Sequence, residues 1–433
     1  MTRGRRSVAD HRAAVVAVLA ATGLDPAAPA GLGVEELPVA LTSLARDPHR
    51  WRDRILAADV VAAASLPLFD NAQMDGYAVR AADLTAAAAD APAALDVLPA
   101  TVAGEPGALL RTGQAVPIMT GAPMPAGADA VVPIEEADPP WFGDHARVRM
   151  AASVPPGRFV RRAGSDVAAG DLLLRAGSAL TPAALGVLAA AGALAVSVRR
   201  RPRVLLIVTG HEVRQPGETL APGQIHDANS FSLGLALADA GAEIIVAPCE
   251  SDDPVRLRAI LDATLPGADL LVTVGGVSAG AREVVRDLLA PLGVWFGAVA
   301  MQPGGPQGLG TVSTGAGEIP VICFPGNPVS CLVSFEVFLR PLLAALATGG
   351  SSAAVERPRA QLPLAEALES PRGLHQVRRG IVDADGRVRA VGGASSHLLH
   401  AYARSTVLIH LPAEVERLAV GDDVETWRID GCR

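Results

Sequence analysis

The sequence contains no lysine: all 37 Lys+Arg positions are arginine. A Schiff-base lysine, the phosphate-gripping lysine of a P-loop and the lysine of a kinase ion pair are therefore excluded. Excess arginine and alanine without lysine is what codon bias in a GC-rich genome produces, so the absence assigns nothing to any single site. Aromatic residues make up only 3% of the chain although half of it is hydrophobic, because much of that hydrophobicity is alanine. Cysteine is scarce: Cys249, Cys323, Cys331 and Cys432 show no C-x-x-C or zinc spacing and read as reduced, mostly buried thiols. Positive charge is short as well. A net charge of −8 and a pI near 5.6 disfavour sequence-independent binding to nucleic acid. Long apolar runs are missing too. Ala13 to Ala21 is short and lacks a cleavage site, and Ala183 to Val198, the one tempting stretch, is too short and is split by Gly192. The expectation is a soluble, cytoplasmic protein with neither a nucleic-acid nor a membrane partner.

What is present is 433 residues, enough for two to four domains with their own cores. From Arg203 the pattern becomes regular. RVLLIVTG, EIIVAPC, DLLVTVGG, VWFGAVAM and IPVICFP read as strands, and Ser230 to Ala240, Pro254 to Leu265, REVVRDLLAPL and Pro328 to Ala347 read as helices. This alternation predicts a mostly parallel sheet covered on both faces. In such folds ligands sit beyond the carboxyl ends of the strands, here TGHE, GGVSAG, MQPGGPQG and FPGNPVS. After the linker-like run Gly349 to Ser352, short alternating strands and a DADG turn predict a small β domain. Upstream, His11 to Thr22 and Leu37 to Leu44 have helical patterns, residues 72 to 156 look β-rich with TVAGEPGALL as strand and turn material, and Thr181 caps a helix that starts at Pro182. The domains expected are residues 1–71 with 157–200, 72–156, 201–349 and 352–433.

Several segments carry possible chemistry. Gly276 to Gly280 fits the G-x-S-x-G nucleophile elbow, with Asp383, Asp385, His397, His400 and His410 available downstream, but no oxyanion loop lies upstream. The same residues, Gly275, Gly276, Ser278 and Gly280, would alternatively form a backbone nest for an oxyanion. Dinucleotide binding fails because no G-x-G-x-x-G follows a strand and opens a helix. Glu212, Asp227 and Glu283 stand at successive strand ends. Singly each reads as a surface acid or a helix-start charge, but together they suit Mg²⁺, which takes one or two carboxylates and completes its shell with water and phosphate oxygens. FPGNPVS reads as a strand-to-helix turn, and the loop around Asp70, Asn71, Asp75 and Tyr77 crowds polar groups between apolar flanks.

The ordered set LPLFDNAQMDGYAVR, IMTGAPMPAGADAVVPIEE, VTGHE, QIHDANS, GGVSAG, VAMQPGGPQGLG and FPGNPVSCLVSFE resembles the molybdopterin molybdenumtransferases, the MoeA family, whose animal relative is the E domain of gephyrin. The resemblance covers nearly the whole chain. It implies a multidomain α/β fold: a three-layer α/β core of the molybdopterin-binding type, a β-rich inserted domain, a helical and extended N-terminal domain and a C-terminal small β-barrel. It implies a homodimer that inserts molybdate into adenylylated molybdopterin with Mg²⁺ as helper ion, releases AMP and works beside other molybdenum cofactor biosynthesis proteins. Asp75, Thr120, Glu212, Asp227 and Glu283 fall on catalytic positions, Asp227 and Glu283 being the metal ligands. Gly275, Gly276, Ser278, Gly280, Gln302, Gly304, Pro325, Gly326, Asn327, Pro328, Arg378, Ser395 and Ser396 fall on binding positions. The chain departs from the family where it has Gln302 and Gly305 instead of lysines and His211 instead of aspartate. The molybdate site is thus expected to be less cationic, with Arg378 carrying more of the anion binding or with catalysis weakened. The alternatives are a paralogue that binds pterin or a partner protein without turnover, and a serine hydrolase using Ser278.

Overall fold

The structure is a computed structural model that describes residues 4–25, 32–101, 104, 109–278, 280, 283–315, 317–349 and 356–430. The chain divides into two compact units, one of residues 1–35, 51–57 and 197–433, the other of residues 36–50 and 58–196.

In the larger unit, six strands lie in the order Glu243–Val246, Arg203–Val208, Leu270–Val274, Gly317–Phe324, Pro306–Thr314, Trp295–Ala298. The first four run parallel, and Pro306–Thr314 runs antiparallel to both its neighbours, so the sheet is mixed at one edge. The parallel strands alternate between two cores. Val204, Leu206 and Val208 pack with Leu233, Leu237 and the helix from Pro328, while Leu205 and Ile207 pack with Leu257, Leu261 and Leu289. Each fully buried aliphatic side chain of this kind contributes roughly 1.5 to 3 kcal/mol. Pro306–Thr314 escaped the sequence pattern because its glycines are demanded by close approach: a Cβ on Gly308 would lie 2.6 Å from Phe296. The parallel register pairs Val208 with Val274 and Val274 with Phe324. The three strands therefore end level, and their following loops emerge side by side.

A second sheet in this unit has the order Met301–Gln302, His375–Val382, Val407–Leu411, Asp423–Arg428, Arg359–Pro363. Its edge strand is lent by the loop between the last two antiparallel elements of the first sheet, and Gln302 pairs with Gln376. The helix Pro328–Thr348 is the one helix among the described residues long and apolar enough to cross a membrane, and 94% of that window is buried in the protein. It is a core helix, whereas the stretch Ala183 to Val198 holds the short helix Pro182–Ala190 and the strand Ala195–Arg199.

The smaller unit holds a six-stranded sheet ordered Ala130–Pro133, Gly76–Val79, Gln114–Ile118, Ala93–Val97, Arg147–Met150, Ala137–Asp138, over a core of Tyr77, Leu84, Leu95, Val132 and Met150. Within Thr101 to Leu110, residues 102, 103 and 105 to 108 lie outside the described set, and none of the remainder is in a named strand. Thr181 caps Pro182–Ala190 by accepting the Ala184 N–H at 3.1 Å.

Two helix boundaries depart from expectation. The first helix begins at Val8, not His11, because the Ser7 hydroxyl accepts the Asp10 N–H at 3.0 Å. The helical pattern over Leu37 to Leu44 splits into the strand Val34–Pro38 and the helix Leu41–Arg46, as Pro38 cannot donate within a helix. Of the expected linker, residues 350 to 352 lie outside the described set, as does Cys432; the other three cysteines are free and buried.

Candidate active site

The level strand ends of the larger unit surround a cleft of about 840 Å³. Its walls include Glu212, Asp227, Gly275, Gly276, Ser278 and Glu283, the loop from Gln302 through Gly304 to Pro306, the turn Pro325 to Pro328, and Ser395 with Ser396. Most of the residues singled out from the sequence in this unit thus share one cavity.

Asp227 opens the helix Asn229–Asp239, where its Oδ1 accepts the Ser230 N–H at 2.9 Å. Its Oδ2 is buried without a hydrogen-bond partner, a costly state for a carboxylate unless a ligand or ion meets it. Asn229, which sequence reasoning did not place in the site, lines the same cleft and donates to the Gly326 carbonyl at 2.8 Å. It ties that helix to the Pro325 to Pro328 turn; the sequence signal was an asparagine two residues after a candidate ligand.

Gly275 and Gly276 have φ of +92° and +65°, which turns the chain sharply after Val274. Of the expected nest, only the Ser278 and Gly280 N–H groups converge, and on an internal anion: Glu283 accepts them at 2.9 and 3.0 Å, while the Gly275 N–H donates to the Phe324 carbonyl at 3.0 Å. Gly280 serves Glu283 and is not among the cleft's lining residues. The hydrolase reading finds no support, because among the described residues no histidine hydrogen-bonds the Ser278 hydroxyl. His397 is spent on Ser395 at 2.7 Å and His410 on His375 at 3.0 Å.

The Gln302 to Gly305 loop is held from beneath. Buried Gln307 donates to the Gly304 carbonyl at 2.8 Å and to Ser334 Oγ at 2.7 Å. Gly304 has φ +102°, and a Cβ there would lie 2.6 Å from Met301 Cε. Gln376 donates to Gln302 Oε1 at 2.6 Å. At the mouth, His211 Nδ1 lies 2.7 Å from Asp252 Oδ2 and 3.6 Å from Glu212.

Arg378 is not placed in the cleft wall. Burial lowers its guanidinium pKa, and its Nε has no partner. Its neighbour Arg379 is the more deeply buried, with Nη2 donating to the Gly393 carbonyl just before Ser395 and Ser396. Alternate residues of a strand face opposite sides, so a one-position shift in reading exchanges the two arginines.

Asp75 and Thr120 belong to the smaller unit. The Thr120 backbone N–H and its hydroxyl both donate to Asp75 Oδ1 at 2.7 Å. The backbone bond first and the hydroxyl second hold the Asp75 carboxyl below its ordinary pKa. Among the described residues, no group of three or more His, Cys, Asp or Glu side chains is arranged to hold a metal ion. Asp227 and Glu283 both line the cleft, and their carboxylates are oxygen donors of the type that Mg²⁺ takes.

Residues 7–192 match the MoeA N-terminal region (domain I and II), residues 206–345 the probable molybdopterin binding domain, and residues 361–429 the MoeA C-terminal region (domain IV). The chain is 45% identical over 382 residues to molybdopterin molybdenumtransferase 2 of Mycobacterium tuberculosis, covering 86% of this chain and 92% of that one. It is 37% identical over 402 residues to the molybdopterin molybdenumtransferase of Synechococcus elongatus, covering 91% and 94%. Among solved structures, a molybdopterin biosynthesis MoeA protein from Pyrococcus horikoshii superposes with a TM-score of 0.72 at 29% identity, over 97% of this chain and 99% of that one.

Proposed function

The chain belongs to the MoeA family of molybdopterin molybdenumtransferases, and from that premise we propose that its cleft inserts molybdate into adenylylated molybdopterin, releasing AMP and leaving the molybdenum cofactor. It is an enzyme of molybdenum cofactor biosynthesis. The observation that carries the assignment to this cleft is the convergence of four loops, each at the end of a sheet strand, on one cavity of about 840 Å³, within the range of small-molecule sites. A merely binding paralogue and a hydrolase are not favoured by the relatives.

Asp227 and Glu283 would hold Mg²⁺. The ion, when bound, neutralises charge on phosphate oxygens. The orphaned Asp227 Oδ2 is the observation that fits it. Glu212 adds a third carboxylate at the mouth, and Asp75, kept ionised by Thr120, is the further acid assigned to the reaction. Pro325 to Pro328 and Gly275 to Ser278 shape the pterin nucleotide's bed, while Gln302, Gly304, Ser395 and Ser396 offer neutral donors to molybdate. The working form is a cytoplasmic homodimer, and light scattering giving a mass near the 44.2 kDa monomer at micromolar concentration contradicts the dimer.

The test of the whole reading supplies purified protein with adenylylated molybdopterin, Mg²⁺ and molybdate. AMP release together with reconstitution of an apo molybdenum enzyme supports it. AMP release that ignores molybdate, or no release at all, sinks it.

A further inference from the structure

We infer that Gln376 is a positioning residue that turns Gln302 into a hydrogen-bond donor toward a tetrahedral dianion in the cleft. The inference rests on the transferase reading, in which that dianion is molybdate. Gln376 is 2% exposed, stands opposite Gln302 in parallel register and donates its Nε2–H to Gln302 Oε1 at 2.6 Å. A primary amide has one acceptor oxygen and one doubly donating nitrogen. With its oxygen claimed, Gln302 has only N–H groups to offer the cleft it lines. The reverse pairing would present a carbonyl oxygen to the anion.

The direction of the pair is the one in which the buried Gln376 amide nitrogen faces the Gln302 oxygen. Its Oε1 is buried with no partner. The Nε2 end is the one that meets a partner, the Gln302 oxygen at 2.6 Å. A lysine at 302 would need no such control, since an ammonium has only donors. A glutamine there does, because its two ends have opposite effects on an oxyanion. The arrangement thus explains how a cleft without lysine takes a dianion: orientation of a neutral amide replaces charge.

The experiment measures molybdate and AMP binding by isothermal titration calorimetry for the wild-type chain, Gln376→Leu, Gln302→Ala and the double variant. Expected is an about fivefold weakening of molybdate binding in each single variant, the worth of one neutral hydrogen bond, no further loss in the double variant, and unchanged AMP affinity throughout. Gln376→Glu, nearly isosteric and able only to accept, must weaken molybdate binding at least as much. Wild-type molybdate affinity in Gln376→Leu or Gln376→Glu overturns the inference. So does an equal loss when Gln302 is already alanine, a parallel fall in AMP affinity, or a wild-type protein that binds no molybdate. AMP release measured on the same proteins judges the transferase reading separately: binding that follows this pattern without turnover would sink that reading and leave this one standing.

Discussion

The carboxylate of Glu283 accepts the backbone N–H of Ser278 at 2.9 Å, so the turn that looked like a nucleophile elbow is closed by an acid from its own helix start. With a second N–H from Gly280, Glu283 braces the loop as well as facing the cleft. Among the described residues no histidine reaches the Ser278 hydroxyl to activate it, so a fluorophosphonate probe should leave Ser278 unlabelled; stoichiometric labelling at Ser278 contradicts this. Glu283→Ala should cost about 1.5 to 3 kcal/mol of stability, since hydrogen bonds to a charged group are lost. Urea unfolding measures it, and an unchanged midpoint would show that the brace contributes nothing.

Asp227 divides its oxygens between two tasks, and one substitution separates them. Asn caps helices as well as Asp does, so Asp227→Asn keeps the acceptor for the Ser230 N–H while removing the charge assigned to Mg²⁺. The unfolding midpoint should move by no more than about 0.5 kcal/mol equivalent. AMP release should fall below detection at Mg²⁺ concentrations that saturate the wild type. Unchanged turnover excludes the ion site.

Gly304 and Gly305 are adjacent but have opposite tolerances. A Cβ on Gly305 would meet only the Met301 and Val299 carbonyls at 3.5 Å, ordinary contact, whereas one on Gly304 would fall 2.7 Å from Ser334 Oγ at a φ of +102°. Gly305→Lys should therefore fold and lower the molybdate concentration for half-maximal rate. One charge-assisted hydrogen bond of about 1.5 to 3 kcal/mol sets the scale, leaving the pterin nucleotide's affinity alone. Gly304→Ala should destabilise the loop and raise that concentration. If Gly305→Lys leaves it unchanged, the loop does not seat molybdate.

The strand-end loops were legible because parallel strands buried on both faces read as continuous apolar runs, as Arg203–Val208 and Leu270–Val274 do. Glu212 and Glu283 followed, since level strand ends bring their loops to one cavity, whereas Gln302 came only with the family resemblance and Asp227 sits after the short strand Ile225–His226. Pro306–Thr314 was not legible, because a strand whose glycines yield to neighbouring rings lacks the side chains that mark strands. Arg378 and Arg379 could not be told apart, as alternation says that they face opposite ways and only tertiary pairing says which is which. Gln307 and Gln376 were hidden for a related reason. A glutamine in a strand reads as solvent-facing, and both are buried, Gln376 by a strand that starts 75 positions upstream at Met301 and Gln302.

Buried histidines should make the larger unit sensitive to acid. His11 has no exposed surface, packs edge-on against Phe338 at 4.7 Å and has its Nδ1 3.2 Å from an Arg6 guanidinium nitrogen. Burial first, and the Arg6 charge second, lower its pKa from 6.5 to about 4. His375 and His410 shift the same way through burial. A depressed folded-state pKa means that the unfolded chain binds the proton more readily. The stabilisation is therefore complete above pH 6.5 and is lost as pH falls toward 4. For His11 alone, 1.5 pH units below its unfolded value correspond to roughly 2 kcal/mol at pH 5. The urea midpoint should fall between pH 7.5 and pH 5, and His11→Gln, uncharged at both, should remove His11's share of that fall at some cost in absolute stability. If the wild type and His11→Gln lose equal stability over that interval, His11 is not a source of the acid sensitivity.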